Sequence, residues 1–174
     1  EAFVGKVGLA LSGGGFRASL FHIGVLAHLA ERDVLRSVEV LSCVSGGSII
    51  GAHYYLEVRQ LLKTRPDQEI TRRDYIEIVK RVERDFLAGV QTNIRCLVMA
   101  GLWTNLKAAF FPHYTRTHRL GELYEREIFS RVTDGEGGSP RYLADLIIQP
   151  KGAEGFKPKY DNWRRQAKVP ILVL

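Results

Sequence analysis

Apolar and polar positions along this chain change period several times, and each change marks an element. Val7-Gly-Leu-Ala-Leu11 is a short apolar run that reads as a buried strand. Ser12-Gly13-Gly14-Gly15-Phe16-Arg17 follows as a tight glycine turn. Leu20, Ile23, Val25, Leu26 and Leu29 then predict a mostly buried helix over Ala18 to Glu31. A turn near Asp33 leads to a second β-rich run, Val38 to Val44, which stops at Ser45. From about Ser48 to Leu62 the chain is apolar at first and charged toward Arg59 and Lys63, which predicts a helix with Ser48 as its N-cap. The order strand, helix, strand, helix implies a parallel pair joined by a right-handed crossover in an α/β sheet.

Further along, Thr64 to Glu69 is a polar linker containing Pro66. Thr71-x-x-Asp74 has the form of a capping box and opens a charged amphipathic helix to about Ala88. Between Gln91 and Tyr114 an apolar stripe (Leu97, Val98, Met99, Leu102, Trp103, Phe110, Phe111) is broken by Thr104, Asn105 and Lys107. It suits core packing, with a pocket cap or a lipid-facing surface as alternatives. Thr117 to Phe129 predicts another helix, Thr133 to Pro140 a glycine-rich loop, Leu143 to Ile148 a strand or helix end, and Lys151 to Asp161 a loop. Val169-Pro-Ile-Leu-Val-Leu174 reads as a buried strand with no turn after it, the expectation for a piece of a larger α/β domain.

Length adds that 174 residues suffice for one domain with a sizeable core. The net charge of +6 favours acidic surfaces, but the basic residues are spread along helical faces, so nucleic acid is not an expected partner. Cys43 and Cys96 give no disulfide framework and weakly favour a reducing compartment. No signal-peptide pattern or membrane-spanning run is visible, so a cytoplasmic or membrane-peripheral location is expected. No cluster of metal-ligand type stands out, and neither a metal nor a cofactor is expected.

Candidate chemistry sits at Val38-Glu-Val-Leu-Ser-Cys-Val-Ser45-Gly-Gly-Ser-Ile-Ile-Gly51. A strand that breaks sharply into a helix with a serine at the break has the form of a nucleophile elbow, usually G-x-S-x-G. The turn crowds the positions two before and two after the serine, and here they are the small Cys43 and Gly47. In a parallel sheet the turn after the first strand and the elbow after the second open on the same edge. Gly13, Gly14 and Gly15 could then offer N–H groups to a reacting carbonyl oxygen, with the N–H of Gly46 as a further donor. Arg17 at a helix start is poorly placed for the macrodipole, so it either braces the glycine loop or meets an anionic headgroup.

Ser12-Gly-Gly-Gly-Phe-Arg17 after one strand, with Val44-Ser-Gly-Gly-Ser48 after the next, resembles the patatin-like phospholipase family. The resemblance is firm over residues 7 to 60, and the glycine loop (7–17) and elbow (38–51) carry it. It implies a three-layer α/β fold with helices on both faces of the sheet, of which residues 1–174 would be the N-terminal part, truncated before the last core strands. It also implies a serine acyl hydrolase acting on phospholipids or other acyl lipids through a Ser–Asp dyad, with transient contact to a membrane surface. Carried over by position, Ser45 is the nucleophile, Gly13, Gly14, Gly15 and Gly46 form the oxyanion hole, and Arg17 supports the loop. The family's aspartate lies in an Asp-Gly-Gly or Asp-Gly-Ala motif. Asp134-Gly135-Glu136 matches it only superficially, and the expected place is beyond Leu174.

Three alternatives are open on the residues. Gly13-x-Gly15-x-x-Ala18 satisfies a relaxed dinucleotide fingerprint, with Asp33 about twenty residues on. Ser45, Asp85 and His118 follow the chain order of a hydrolase triad. The basic charge and the Trp103, Phe110 and Phe111 region could instead serve a non-catalytic lipid-surface module.

Overall fold

A computed structural model of the chain describes residues 6–91, 116–134 and 141–174. The aromatic stretch around Trp103, Phe110 and Phe111 lies outside them, as do Gly135 and Glu136. Strand β1 spans Val7–Leu11, helix α1 Gly15–Glu31, strand β2 Val38–Cys43, helix α2 Gly46–Thr64 and helix α3 Arg72–Gln91. Helix α4 spans Arg116–Glu127, a single turn α5 Pro158–Asp161, and strand β3 Ile171–Val173. The strands form a parallel sheet in the order β1-β2-β3, with Leu11 opposite Cys43 and Ser42 opposite Val173. The chain is therefore mixed α/β, as its pattern predicts.

Each strand sorts its residues by pleat. Leu11, Leu41 and Cys43 are buried on one face, where Ile23 and Leu26 of α1, Ile50 and Tyr54 of α2, and Val82 and Phe86 of α3 join the same core. Val40, Ile171 and Val173 point to the other face and stay well exposed. Consecutive right-handed crossovers that advance in one direction put their helices on one side. The second helical layer expected on the opposite face is not formed by the described residues.

Several boundaries differ from the sequence expectation, each for a local reason. Both helices that follow strands start at once, α1 at Gly15 and α2 at Gly46, so Ser45 is the N-cap of α2 and Ser48 lies inside its first turn. Thr71 does open α3, its N–H and hydroxyl both donating to Asp74 Oδ2, at 2.8 and 2.9 Å. Leu143–Asp145 is an exposed 3-10 turn, and the chain is tied to α2 just after it, where Tyr55 donates to the Leu146 carbonyl at 2.7 Å. The expected loop at Lys151 to Asp161 closes with the single turn α5. The terminal strand is buried only at Val169 and Pro170, and β3 itself has Ile171 and Val173 about half exposed, since they lie on the open face.

Side chains fix the return to β3. Asp67 accepts the N–H groups of Gln166 and Ala167 at 2.8 and 2.9 Å. Asn162 bonds the Val169 N–H and C=O as a neighbouring strand would, at 2.8 and 3.0 Å. Within the core, burial pushes the His53 imidazole down to about 4, against the opposing pull of Asp85.

One packing detail accounts for the departure from the usual elbow pattern. A Cβ added at Gly51 would lie 2.2 Å from Cys43 Sγ. The thiol that replaces the usual glycine therefore occupies the space that Gly51 leaves free. Burial pushes this thiol up to about 11, so it packs as a small apolar group. Gly51→Ala should destabilise the fold by about 1–3 kcal/mol through overpacking, although alanine favours a helix interior by about 1 kcal/mol. Cys43→Ala should return most of that loss when combined with Gly51→Ala. A urea-denaturation cycle on the four proteins checks this, and simple additivity of the two changes would contradict it.

Candidate active site

The C-terminal ends of β1 and β2 place two turns against each other. Val44 donates its N–H to the Leu11 carbonyl at 3.0 Å, which carries the β1–β2 ladder one residue past the strand end. A Cβ added at Gly13 would lie 3.2 Å from Ser45 Cβ and 3.8 Å from Ser45 Oγ. The loop and the serine are thus in contact, and both are exposed.

Ser45 holds φ 53° and ψ −118°. This is a sparsely populated conformation for a residue with a side chain, worth on the order of 1–3 kcal/mol of strain, and such strain persists only where surroundings impose it. Here the surroundings are backbone. A Cβ at Gly46 would meet the Gly15 carbonyl oxygen at 2.2 Å, and one at Gly47 would meet the Leu11 carbonyl oxygen at 2.3 Å. Only glycine lets α2 start so close to the first turn. Gly14, at φ 138°, gives that turn its sharp corner.

Both helix N-termini at this corner lack a side-chain cap, at Gly14 for α1 and at Ser45 for α2. The N–H groups of Gly13, Gly14 and Gly46 meet no acceptor among the described residues. Ser45 Oγ likewise has no hydrogen-bond partner among them. Free amides and two positive dipole ends beside one hydroxyl suit an anion or a developing negative oxygen.

Two residues that sequence reasoning passed over hold this corner. Ser19 is fully buried and donates its hydroxyl to the Gly46 carbonyl at 2.8 Å, with the Gly15 carbonyl a second acceptor at 3.2 Å. It ties the first turn of α1 to the first turn of α2. His22, also buried, has Nε2 at 2.9 Å from the Ser12 carbonyl, a geometry that assigns the proton to Nε2 and fixes the entry to the glycine loop. The available signal was their spacing: Ser19 and His22 fall four and seven residues after Gly15, on the buried face of α1. Arg17, by contrast, is exposed and has no partner among the described residues.

The other candidates go elsewhere. Asp134 is buried, and both its oxygens face Arg141, at 2.9 and 3.2 Å. Burial works against the Arg141 charge, but its hydrogen bonds to Asp134 and Glu125 hold its pKa above the ordinary value. Asp85 turns to Arg84, at 2.9 Å, and toward His53, not to the serine corner. Asp33 is paired with Arg36 and precedes β2, at the sheet edge opposite the glycine loop. An acid there is a six-residue strand, about 20 Å, from a dinucleotide phosphate bound at that loop.

A family model described as patatin-like phospholipase matches residues 9–132, well over half of the chain. No curated protein and no solved structure matches it.

If Ser19 is the tie between the two helix starts, Ser19→Ala should cost about 1–2 kcal/mol of stability. Amide exchange should accelerate at the start of α2 more than at its middle. Uniform acceleration along α2, followed by hydrogen exchange, would mean that Ser19 acts only through general core packing.

Proposed function

The chain belongs to the patatin-like phospholipase family, and on that premise we propose that it is a serine acyl hydrolase using Ser45 as nucleophile on phospholipid or other acyl-lipid esters. Family membership itself implies lipid acyl hydrolysis. The single observation that carries the finer assignment is the contact between Gly13 and Ser45 at the meeting of two uncapped helix starts.

Ser45 Oγ attacks the ester carbonyl, and the carbonyl electrons move onto its oxygen. The amides of Gly13, Gly14 and Gly46, with Gly15 in the first turn of α1, supply donors for that oxyanion. They are set in place before the charge develops and so need little reorganisation. Collapse expels the alcohol and leaves an acyl-serine, which water then hydrolyses. The Oγ proton needs an acceptor, and the family resemblance assigns it to an aspartate in an Asp-Gly-Gly or Asp-Gly-Ala motif. Neither Asp85 nor Asp134 suits that role, because each is committed to an arginine.

A lipid substrate also accounts for apolar surface at Val44 and along α1. Val44 is 63% exposed, and Phe21 and Leu20, on the second turn of α1, are 69% and 45% exposed. Arg17 stands on the same helix start with its guanidinium free among the described residues. An apolar rim with a nearby cation fits an anionic lipid surface, where the chain's net charge of +6 also favours approach. No described helix is long and apolar enough to cross a membrane.

A fluorophosphonate probe applied to the intact protein should label Ser45, and Ser45→Ala should abolish labelling and lower ester turnover on the order of 10⁴-fold or more. Labelling that persists in Ser45→Ala would remove the assignment. Phe21→Ser together with Arg17→Ala should weaken flotation with anionic vesicles while leaving turnover of a short soluble ester within about threefold. Vesicle binding equal to that of the unaltered protein would show that the lipid surface is met elsewhere.

A further inference from the structure

Away from the serine corner, α2 and α3 enclose a second cluster of chemistry-bearing side chains. His53 and Glu57, one turn apart on α2, meet Asp85 of α3, and all three are buried. His53 Nε2 lies 3.9 Å from Asp85 Oδ2, beyond hydrogen-bond reach. Neither ring nitrogen of His53 has a partner among the described residues, and neither does Asp85 Oδ2. The His53 side chain is wholly inaccessible, with the ring of Phe129 packed edge-on against it. Buried polar atoms left in this way are costly, and a bound water or ion would satisfy them.

Both carboxylates are held from outside by one oxygen each. Arg81 Nε and Nη2 bond Glu57 Oε2 at 2.8 and 2.7 Å, and Arg84 Nε bonds Asp85 Oδ1 at 2.9 Å. Glu57 Oε1 and Asp85 Oδ2 remain for the cluster. Carboxylates fixed by an outer hydrogen bond while the second oxygen and an imidazole converge resemble the supported ligands of a metal centre.

We propose that His53, Glu57 and Asp85 form a binding site for a divalent first-row metal ion of the zinc class. One ligand atom from each residue can be chosen so that all three lie within 4.8 Å of one another. Two ligands on one tetrahedral zinc ion sit about 3.4 Å apart, so the set closes with an inward shift of up to about 1.4 Å. The arginines that hold Glu57 and Asp85 are themselves 41% and 68% exposed, so each carboxylate can turn inward with its partner following. An imidazole with two carboxylates favours a borderline ion over magnesium or calcium, which prefer oxygen alone. Arg81, Arg131 and Arg141 also face His53 and oppose a cation. Arg141 is matched by Asp134 and Glu125, and Arg81 by Glu57. This opposition selects an ion held by ligand bonds over one held by charge alone.

His53 lies eight positions beyond Ser45, about 12 Å along α2. The ion would therefore join α2 to α3 and take no part in the reacting atoms. The sequence signal is His53-x-x-x-Glu57 on one helix face, and the proposal departs from the expectation of no metal.

Chelator-stripped intact protein titrated with Zn²⁺ should take up a single ion with micromolar or tighter affinity, and its thermal midpoint should rise. Glu57→Gln and Asp85→Asn should each weaken uptake on the order of a hundredfold, while Lys80→Ala, exposed on α3, should not. Cobalt(II) on the unaltered protein should give the intense visible bands of a four- or five-coordinate ion, a readout that does not depend on any variant folding. Absence of zinc uptake by the unaltered protein overturns the site. So does uptake unchanged in folded Glu57→Gln and Asp85→Asn, or a cobalt spectrum equal to that of the hydrated ion.

Discussion

Backbone pressed on backbone is the constraint on which this structure depends. Gly46 lies against Gly15, and Gly47 against Leu11 and Ser12, at distances no Cβ would permit. The contact brings the starts of α1 and α2 together and forces Ser45 into its strained angles. It also explains why neither helix carries a side-chain cap. A capping side chain would occupy the N–H groups that must stay free if an oxyanion is to bind there. Stability forgone at two caps, about 0.5–2 kcal/mol each, and strain at one residue are thus located where chemistry is expected.

The covered side of the sheet offsets these local costs. Leu11, Leu41 and Cys43 are almost wholly buried beneath three helices, and Ser19 links this core to the corner through a buried hydroxyl. Its 2.8 Å bond accepts no water competition, so it acts at the strong end of the range for neutral hydrogen bonds. His22, itself buried, holds the Ser12 carbonyl of the exposed loop at 2.9 Å. The turns on either side of the exposed serine are therefore held by groups that are themselves buried.

What the sequence disclosed follows from the range of the interactions involved. β1, β2 and the pairing of glycine turn with elbow depend on local rules: period, strand length and the need for small residues at a sharp turn. They were legible. The exchange of a glycine from position 43 to position 51 was not, because it rests on a contact between a strand residue and a helix residue eight positions later. Ser48 looked like a cap because serine before an apolar run usually is one. The elbow instead begins the helix directly at Gly46. Ser19 and His22 carried a helical spacing shared by any core position, and nothing local separates a brace from a core residue. His53, Glu57 and Asp85 needed the packing of α2 on α3 before they could be seen together.

Strand order settles where the candidate chemistry can face. With β1, β2 and β3 laid down in sequence and all parallel, both crossovers turn the same way, and the helices gather on one side. The C-terminal ends of all three strands then share one edge, with Ser45 just beyond β2 and Val173 at the end of β3. All-parallel sheets are ordinarily covered on both faces. Here Val40, Ile171 and Val173 leave an apolar surface on the face that no described helix covers, running toward the same edge as Ser45. Apolar surface and Ser45 are therefore brought to one edge by topology as well as by turn chemistry. A one-residue slip in the β1–β2 register would separate Gly13 from Ser45 and turn Leu41 and Cys43 out of the core at the same stroke. The burial that stabilises the sheet is thereby the same interaction that keeps the two halves of the corner aligned.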